Sequence, residues 1–171
     1  MQRLNSSPSL NHPTCRKVQV VAFCLNDSSS VPYVLQFQTT LTRGRFWQNM
    51  TGSLDEGESW EEGALREFYE ETQIPVKELL HQLSCSILHF GLHKLDYFHC
   101  FEDRWKRQVE EHSFLFFFKM PEHLKPSITI DPSEHQFSRW LLCSEITPTH
   151  FHYASHYQVF REGEKYFQML Y

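Results

Sequence analysis

No apolar run in this 171-residue chain approaches the roughly 18–20 residues that a helix needs to span a bilayer. The longest, residues 114–118 (FLFFF), has the length of a buried strand. A basic excess is also missing: the formal charge is −5, and the acidic residues concentrate between positions 55 and 71. A duplex-binding protein carries a basic face, so nucleic acid as a bulk partner is not expected. Local acidity of this kind suits a hard cation better. The five cysteines (Cys15, Cys24, Cys85, Cys100 and Cys143) include no CxxC pair. With no apolar targeting region at the start of the chain, they are expected to be reduced thiols of a cytoplasmic protein. Cys24 and Cys143 have no base in a recognisable motif, so thiol nucleophilic chemistry is not supported. Eleven histidines offer no pair on a helix with a third ligand; His89 and His93 are four apart, but Gly91 lies between them. Zinc is therefore not expected.

What is present fits a packed domain, with 40% hydrophobic and 22% charged residues. Fifteen Phe, seven Tyr and four Trp mostly serve a core, and a few can line a pocket for a flat ring. Residues 1–13 (MQRLNSSPSLNHP) read as a flexible tail, and residues 14–171 as one domain without composition break or repeat.

The β-branched and aromatic runs at residues 18–25 and 31–40 predict two strands paired as a hairpin through a turn-rich connection. Residues 43–54 predict loop with a short strand around 47–51. Residues 84–88, 95–101, 112–120 and 139–142 predict further strands, and residues 154–170 a closing helix packed through Tyr157, Phe160, Tyr166, Phe167 and Leu170. The clearest element is a helix over residues 59–72 (SWEEGALREFYEET), stopped before Pro75. Ser59 followed by Glu62 is a capping-box signature, and Trp60, Ala64, Leu65 and Phe68 form one apolar stripe. Strands and helices mixed in this way predict an α+β layered domain with a mixed sheet.

On that helix Glu67, Glu70 and Glu71 stand at i, i+3 and i+4 and share a face. Each like-charge pair costs roughly 0.2–0.5 kcal/mol on an isolated helix, and Arg66, four residues from both Glu62 and Glu70, offsets only part of it. A divalent cation would turn repulsion into coordination, because Mg²⁺ takes oxygen ligands and keeps waters that phosphate oxygens can replace. The triplet alone also describes a solvated acidic face.

The stretch from Gly52, GSLDEGESWEEGALREFYEETQI, resembles the Nudix box, Gly-x5-Glu-x7-Arg-Glu-hydrophobic-x-Glu-Glu-x-Gly-hydrophobic. Gly52, Glu58, Arg66, Glu67, Phe68, Glu70, Glu71 and Ile74 fall in register; Gln73 stands where the pattern has glycine. A left-handed backbone there costs a non-glycine residue on the order of 1–2 kcal/mol. The resemblance implies an α/β/α sandwich that hydrolyses a nucleoside diphosphate linked to another group. It further implies that Glu67, Glu70 and Glu71 bind Mg²⁺ or Mn²⁺, with Glu58 in support and Arg66 orienting the glutamates. Phe46-Trp47-Gln48, Met50-Thr51-Gly52-Ser53, Ser133-Glu134-His135 and Arg139-Trp140-Leu141 look like the bacterial dihydroneopterin triphosphate pyrophosphohydrolases of folate synthesis. That likeness implies a pterin or nucleotide triphosphate substrate, and Glu134 as a further metal ligand or the catalytic base.

The subgroup often carries paired arginines on the strand that here reads Leu35-Gln36-Phe37-Gln38. Arg43 and Arg45 are the candidates to supply that charge. Phe46 and Trp47 can stack on a pterin or nucleobase or serve as core anchors. Arg104, Lys106 and Arg107, with Trp105, form a basic loop that is either solvated or a lid for phosphate. Other outcomes in view are a general nucleoside triphosphate or dinucleoside polyphosphate hydrolase, and a catalytically silent binding module.

Overall fold

The computed structural model describes residues 15–26, 31–82, 85–96, 108–120 and 126–170. Side-chain alternation along the first of these stretches accounts for the architecture. In β1 (Cys15–Asn26), Val18, Val20, Ala22 and Cys24 belong to one apolar cluster, while Val21 and Phe23 belong to another. A strand buried on both faces needs a helical layer on each side.

Those layers are present. The strands are β1, β2 (Tyr33–Thr39), β3 (Trp47–Gln48), β4 (Met50–Ser53), β5 (Cys85–Asp96), β6 (Gln108–Met120) and β7 (His135–Leu142). The helices are α1 (Trp60–Thr72), α2 (Val76–His81) and α3 (Ala154–Leu170). The sheet runs β3-β2-β1-β6-β5, with β4 also on β1 and β7 on β2. It is mixed, because β1 and β6 are parallel from Cys15↔Val109 to Asn26↔Met120 while the other pairings are antiparallel. Ala64 and Phe68 of α1 and Val76 of α2 join the cluster on one face. Val159, Phe160 and Phe167 of α3 close the other. Gly163 lets α3 approach the sheet, since a Cβ there would lie 2.7 Å from the Phe23 ring. The result is the expected α/β/α sandwich.

Several expectations need correction. β1 and β2 pair only at Phe23↔Val34 and Cys24↔Tyr33. From Lys17↔Ser53 to Val20↔Met50 the same edge of β1 is taken by β4. The strands predicted at 84–88 and 95–101 are one strand as far as Asp96, carried past Gly91 by a register shift, a usual place for glycine in a strand. Residues 97–107, including the basic stretch 104–107, lie outside the described residues, as does the Leu170 side chain. The chain leaves α1 at Gln73, and Pro75 caps α2, a helix that was not expected. No helix among the described residues is long and apolar enough to cross a membrane.

Candidate active site

The site forms where β4 displaces β2 at the edge of β1, and α1 lies across that place. The helix starts as its sequence dictates: Glu62 N donates to Ser59 Oγ (3.3 Å), and Ser59 N donates to Glu62 Oε2 (3.0 Å). This occupies Glu62 locally, so it is not the partner of Arg66, contrary to the i, i+4 expectation.

Arg66 grips the loop before the helix instead. Its Nε and Nη2 donate to the two oxygens of Glu58, each at 2.9 Å, and Nη2 also reaches Ser53 O at 2.8 Å. Such a planar fork on a carboxylate is geometrically specific. The Arg66 hydrogen bond holds the Glu58 carboxyl below the usual range, and the carboxylates around Arg66 hold its guanidinium more firmly protonated. Nη1 of Arg66 lies 3.1 Å from both Glu67 Oε1 and Glu70 Oε2. The arginine thus splints three box glutamates.

Glu67 leans over Gly52 and accepts from Ser53 N at 3.0 Å. A Cβ at Gly52 would stand 2.1 Å from Glu67 Cδ, so glycine is required there for close approach rather than for backbone freedom. Burial pushes the Glu67 carboxyl up, against the pull of Arg66. Glu71 is only 5% exposed, and burial pushes it up as well. Its Oε2 lies 2.6 Å from Nε2 of His135. Glu70 is exposed.

These groups face a cavity of about 600 Å³. Glu67, Glu70, Glu71 and Glu134 all line it, and Lys17 and Arg43 contribute positive charge. Arg43, at the end of the single turn Leu41–Arg43, forms an ion pair with Glu134. Phe46 lines the cavity with Tyr153; its ring stacks on His152 at 4.2 Å and meets Tyr153 edge-on at 5.6 Å. The turn at Asp131 presents Glu134: Asp131 Oδ1 accepts from Ser133 N and Oγ, both at 2.7 Å. Asp131 O accepts from Glu134 N (3.2 Å) and His135 N (2.9 Å).

Two expected substrate contacts are placed elsewhere. Arg45 sits in a left-handed conformation (φ 54°), and its Nε donates to Gln136 Oε1 at 3.2 Å. Trp47 lies under the Arg139 guanidinium at 3.7 Å. It points away from its strand neighbour Gln48, which does line the cavity, as the period of two demands. Gln36 is also committed internally, to His150 O (3.1 Å) and Arg139 Nη2 (2.9 Å), which leaves Arg43 as the cation that reaches the cavity from this region. Sequence reasoning missed Lys17, Gln48, Tyr153 and His156 in the lining. Alternation from Trp47 would have found Gln48; the others come from distant segments with no local signal.

Among the described residues no three His, Cys, Asp or Glu side chains are gathered as a ready metal group. Each box glutamate is engaged by Ser53, Arg66 or His135 instead. The donor chemistry nonetheless fits Mg²⁺ or Mn²⁺. Five carboxylates line one cavity, and two of them, half-buried Glu67 and buried Glu71, have too little positive charge beside them to lower their carboxyls to the usual range.

Comparison with known proteins agrees with this geometry. The profile of the NUDIX domain matches residues 16–162. No curated protein matches significantly. Among solved structures, a C. elegans Ap4A hydrolase binary complex superposes with TM-score 0.65 at 17% identity, over 92% of this chain and 100% of that one. The E. coli dihydroneopterin triphosphate pyrophosphohydrolase gives 0.62 at 22%, over 86% and 92%. The NUDIX domain of Shewanella oneidensis NrtR, complexed with ADP ribose, gives 0.64 at 17%, over 95% and 94%. At these identities the similarity concerns the fold.

Proposed function

This chain belongs to the Nudix family of pyrophosphohydrolases, and we propose that it hydrolyses a nucleotide-like triphosphate to the monophosphate and pyrophosphate, dihydroneopterin triphosphate being the favoured substrate. The observation that carries this reading is the cavity itself, where five carboxylates, two cations and an aromatic wall meet. Glu67, Glu70, Glu71 and Glu134 would hold Mg²⁺ or Mn²⁺. When bound, the cation neutralises phosphate charge and makes a water more acidic.

The remaining work falls to the chain. Lys17 and Arg43 receive the phosphate oxygens, and Phe46 and Tyr153 offer faces and edges to a flat ring. A glutamate, Glu134 or one of the box, accepts the proton as water oxygen bonds to phosphorus and the anhydride bond breaks. Arg66 does not touch substrate; it fixes Glu58, Glu67 and Glu70. Most of the acceleration then comes from positioning and charge compensation.

The test is a phosphate-release screen with Mg²⁺ on dihydroneopterin triphosphate, nucleoside triphosphates, dinucleoside polyphosphates and ADP-ribose, with pyrophosphatase added or omitted. Preference for the pterin, with phosphate seen only when pyrophosphatase is present, is the expected result. Preference for a dinucleoside polyphosphate would replace the substrate and keep the chemistry. No turnover from folded protein would overturn the reading in favour of a silent binding module, and full metal-dependent turnover by both Glu67→Gln and Glu71→Gln would overturn the roles given to these glutamates.

A further inference from the structure

We propose that His135 is a positioning residue of this site, gripping Glu71 from the sheet side so that the carboxylate faces the cavity in one fixed orientation. The inference rests on the reading of Glu71 as a metal-binding glutamate and adds a residue from outside the box to the machinery that shapes it.

Glu71 lines the cavity and yet is almost fully buried. A carboxylate so placed needs a donor or it will neutralise or swing away. The donor within reach is His135 Nε2, 2.6 Å from Oε2, across 64 residues of sequence. That bond leaves Oε1 free of His135. The other ring nitrogen, Nδ1, is buried without a hydrogen-bond partner among the described residues. In a neutral ring the proton therefore belongs on Nε2, where the carboxylate accepts it.

The ring is well placed to hold. It packs on Phe37 at 4.7 Å between centroids, its backbone N–H is fixed to Asp131 O, and its strand pairs with β2 at Thr39↔His135. The loop before it is tied to the end of α1 by Thr129 N donating to Thr72 O at 2.9 Å. Glu134, one residue earlier, faces the cavity. One turn therefore presents a carboxylate to the cavity and, with the next residue, a donor to the carboxylate opposite. Groups that orient metal-binding side chains in this way typically change metal affinity 10–100-fold when removed.

The experiment compares His135→Gln, whose side-chain amide can reach the Nε2 position, with His135→Met, which fills similar volume and has no donor. Mn²⁺ binding to the full chain is read from the loss of the free-ion paramagnetic resonance signal, without substrate, after near-UV circular dichroism has shown each variant folded. The Met variant should bind Mn²⁺ about 10–100-fold more weakly, and the Gln variant within about threefold of wild type. In turnover, kcat of the Met variant should recover at saturating Mn²⁺ while its metal requirement stays shifted. If the Met variant does not fold, His135→Phe, which keeps a ring against Phe37, replaces it. Equal Mn²⁺ affinity in the donor-free variant and wild type would overturn the proposal. So would equal loss in the Gln and Met variants, which would mark a packing role only. A wild-type protein that binds no Mn²⁺ would remove the metal reading and this proposal with it.

Discussion

Alanine at Gly52 is the sharpest single perturbation the structure offers. The added methyl would sit 2.1 Å from Cδ and 2.2 Å from Cγ of Glu67, far inside contact distance. The obstructed atoms belong to a rotatable side chain, so β4 can stay in register with β1 while Glu67 swings out. Glu67 then loses Ser53 N at 3.0 Å and Arg66 Nη1 at 3.1 Å. Hydrogen bonds to charged groups contribute about 1.5–3 kcal/mol, but the freed carboxylate regains water, so the net stability loss should be about 1 kcal/mol. Catalysis should suffer far more, because misplacing a reacting group by about 1 Å costs on the order of 10²-fold. The assay pairs kcat/KM with thermal melting for Gly52→Ala, Glu67→Ala and the double variant. In the Glu67→Ala background there is nothing to collide with, so the glycine substitution should add little. The coupling should approach the single-variant loss, about 2.7 kcal/mol for 10²-fold. Activity of Gly52→Ala within about threefold of wild type, or an equal loss in both backgrounds, would refute the argument.

Two further outcomes follow from the same geometry. Burial raises the Glu67 and Glu71 carboxyls above their ordinary value of 4.5, so above that pH the folded chain binds more protons than the unfolded one. Their contribution to metal-free stability is full below the unfolded value and falls as pH rises through the raised ones; Glu58, held low by Arg66, acts in the opposite sense at acid pH. Because Mg²⁺ competes with those protons, its stabilising increment in urea melts should be larger near pH 8 than near pH 5, and equal increments would contradict this. At the C-terminus of α1, Gln73 has φ 57° and ψ 20°, and its Nε2 donates to Tyr69 O (3.2 Å) and Glu70 O (3.3 Å). Gln73→Gly relieves the left-handed backbone and loses two exposed bonds, so a net stabilisation of about 0.5–1 kcal/mol with unchanged turnover is expected. A loss of stability in denaturant titration would show that the side-chain bonds outweigh the strain.

The parts of the site that were legible share one property: their interactions close within a few residues. The capping box binds Ser59 to Glu62, the apolar stripe repeats with the helical period, and the box glutamates share a face because of where they stand on one helix. Gln73 was legible as an exception for the same reason, and it does adopt the left-handed conformation that glycine would have taken. Arg43 and Arg45 were not separable, because which one reaches the cavity depends on the single turn at Leu41–Arg43 and on Gln136, far along the chain. His135 stood in a quoted motif without a role, since its partner lies on a helix 64 residues away.

By itself, then, the sequence determined the helix that carries the acids, the two-faced strands that demand a helical layer on each side, and the spacing that resembles the Nudix box. Local geometry sets these through short-range sterics and hydrogen bonding, which the order of residues encodes directly. The tertiary structure decided which edge of β1 belongs to β4, how Lys17, Arg43 and Glu134 come to face the box glutamates, and that Glu71 is held by His135. Those are long-range pairings, chosen by how whole faces pack, and no short stretch of the chain contains the information that selects them.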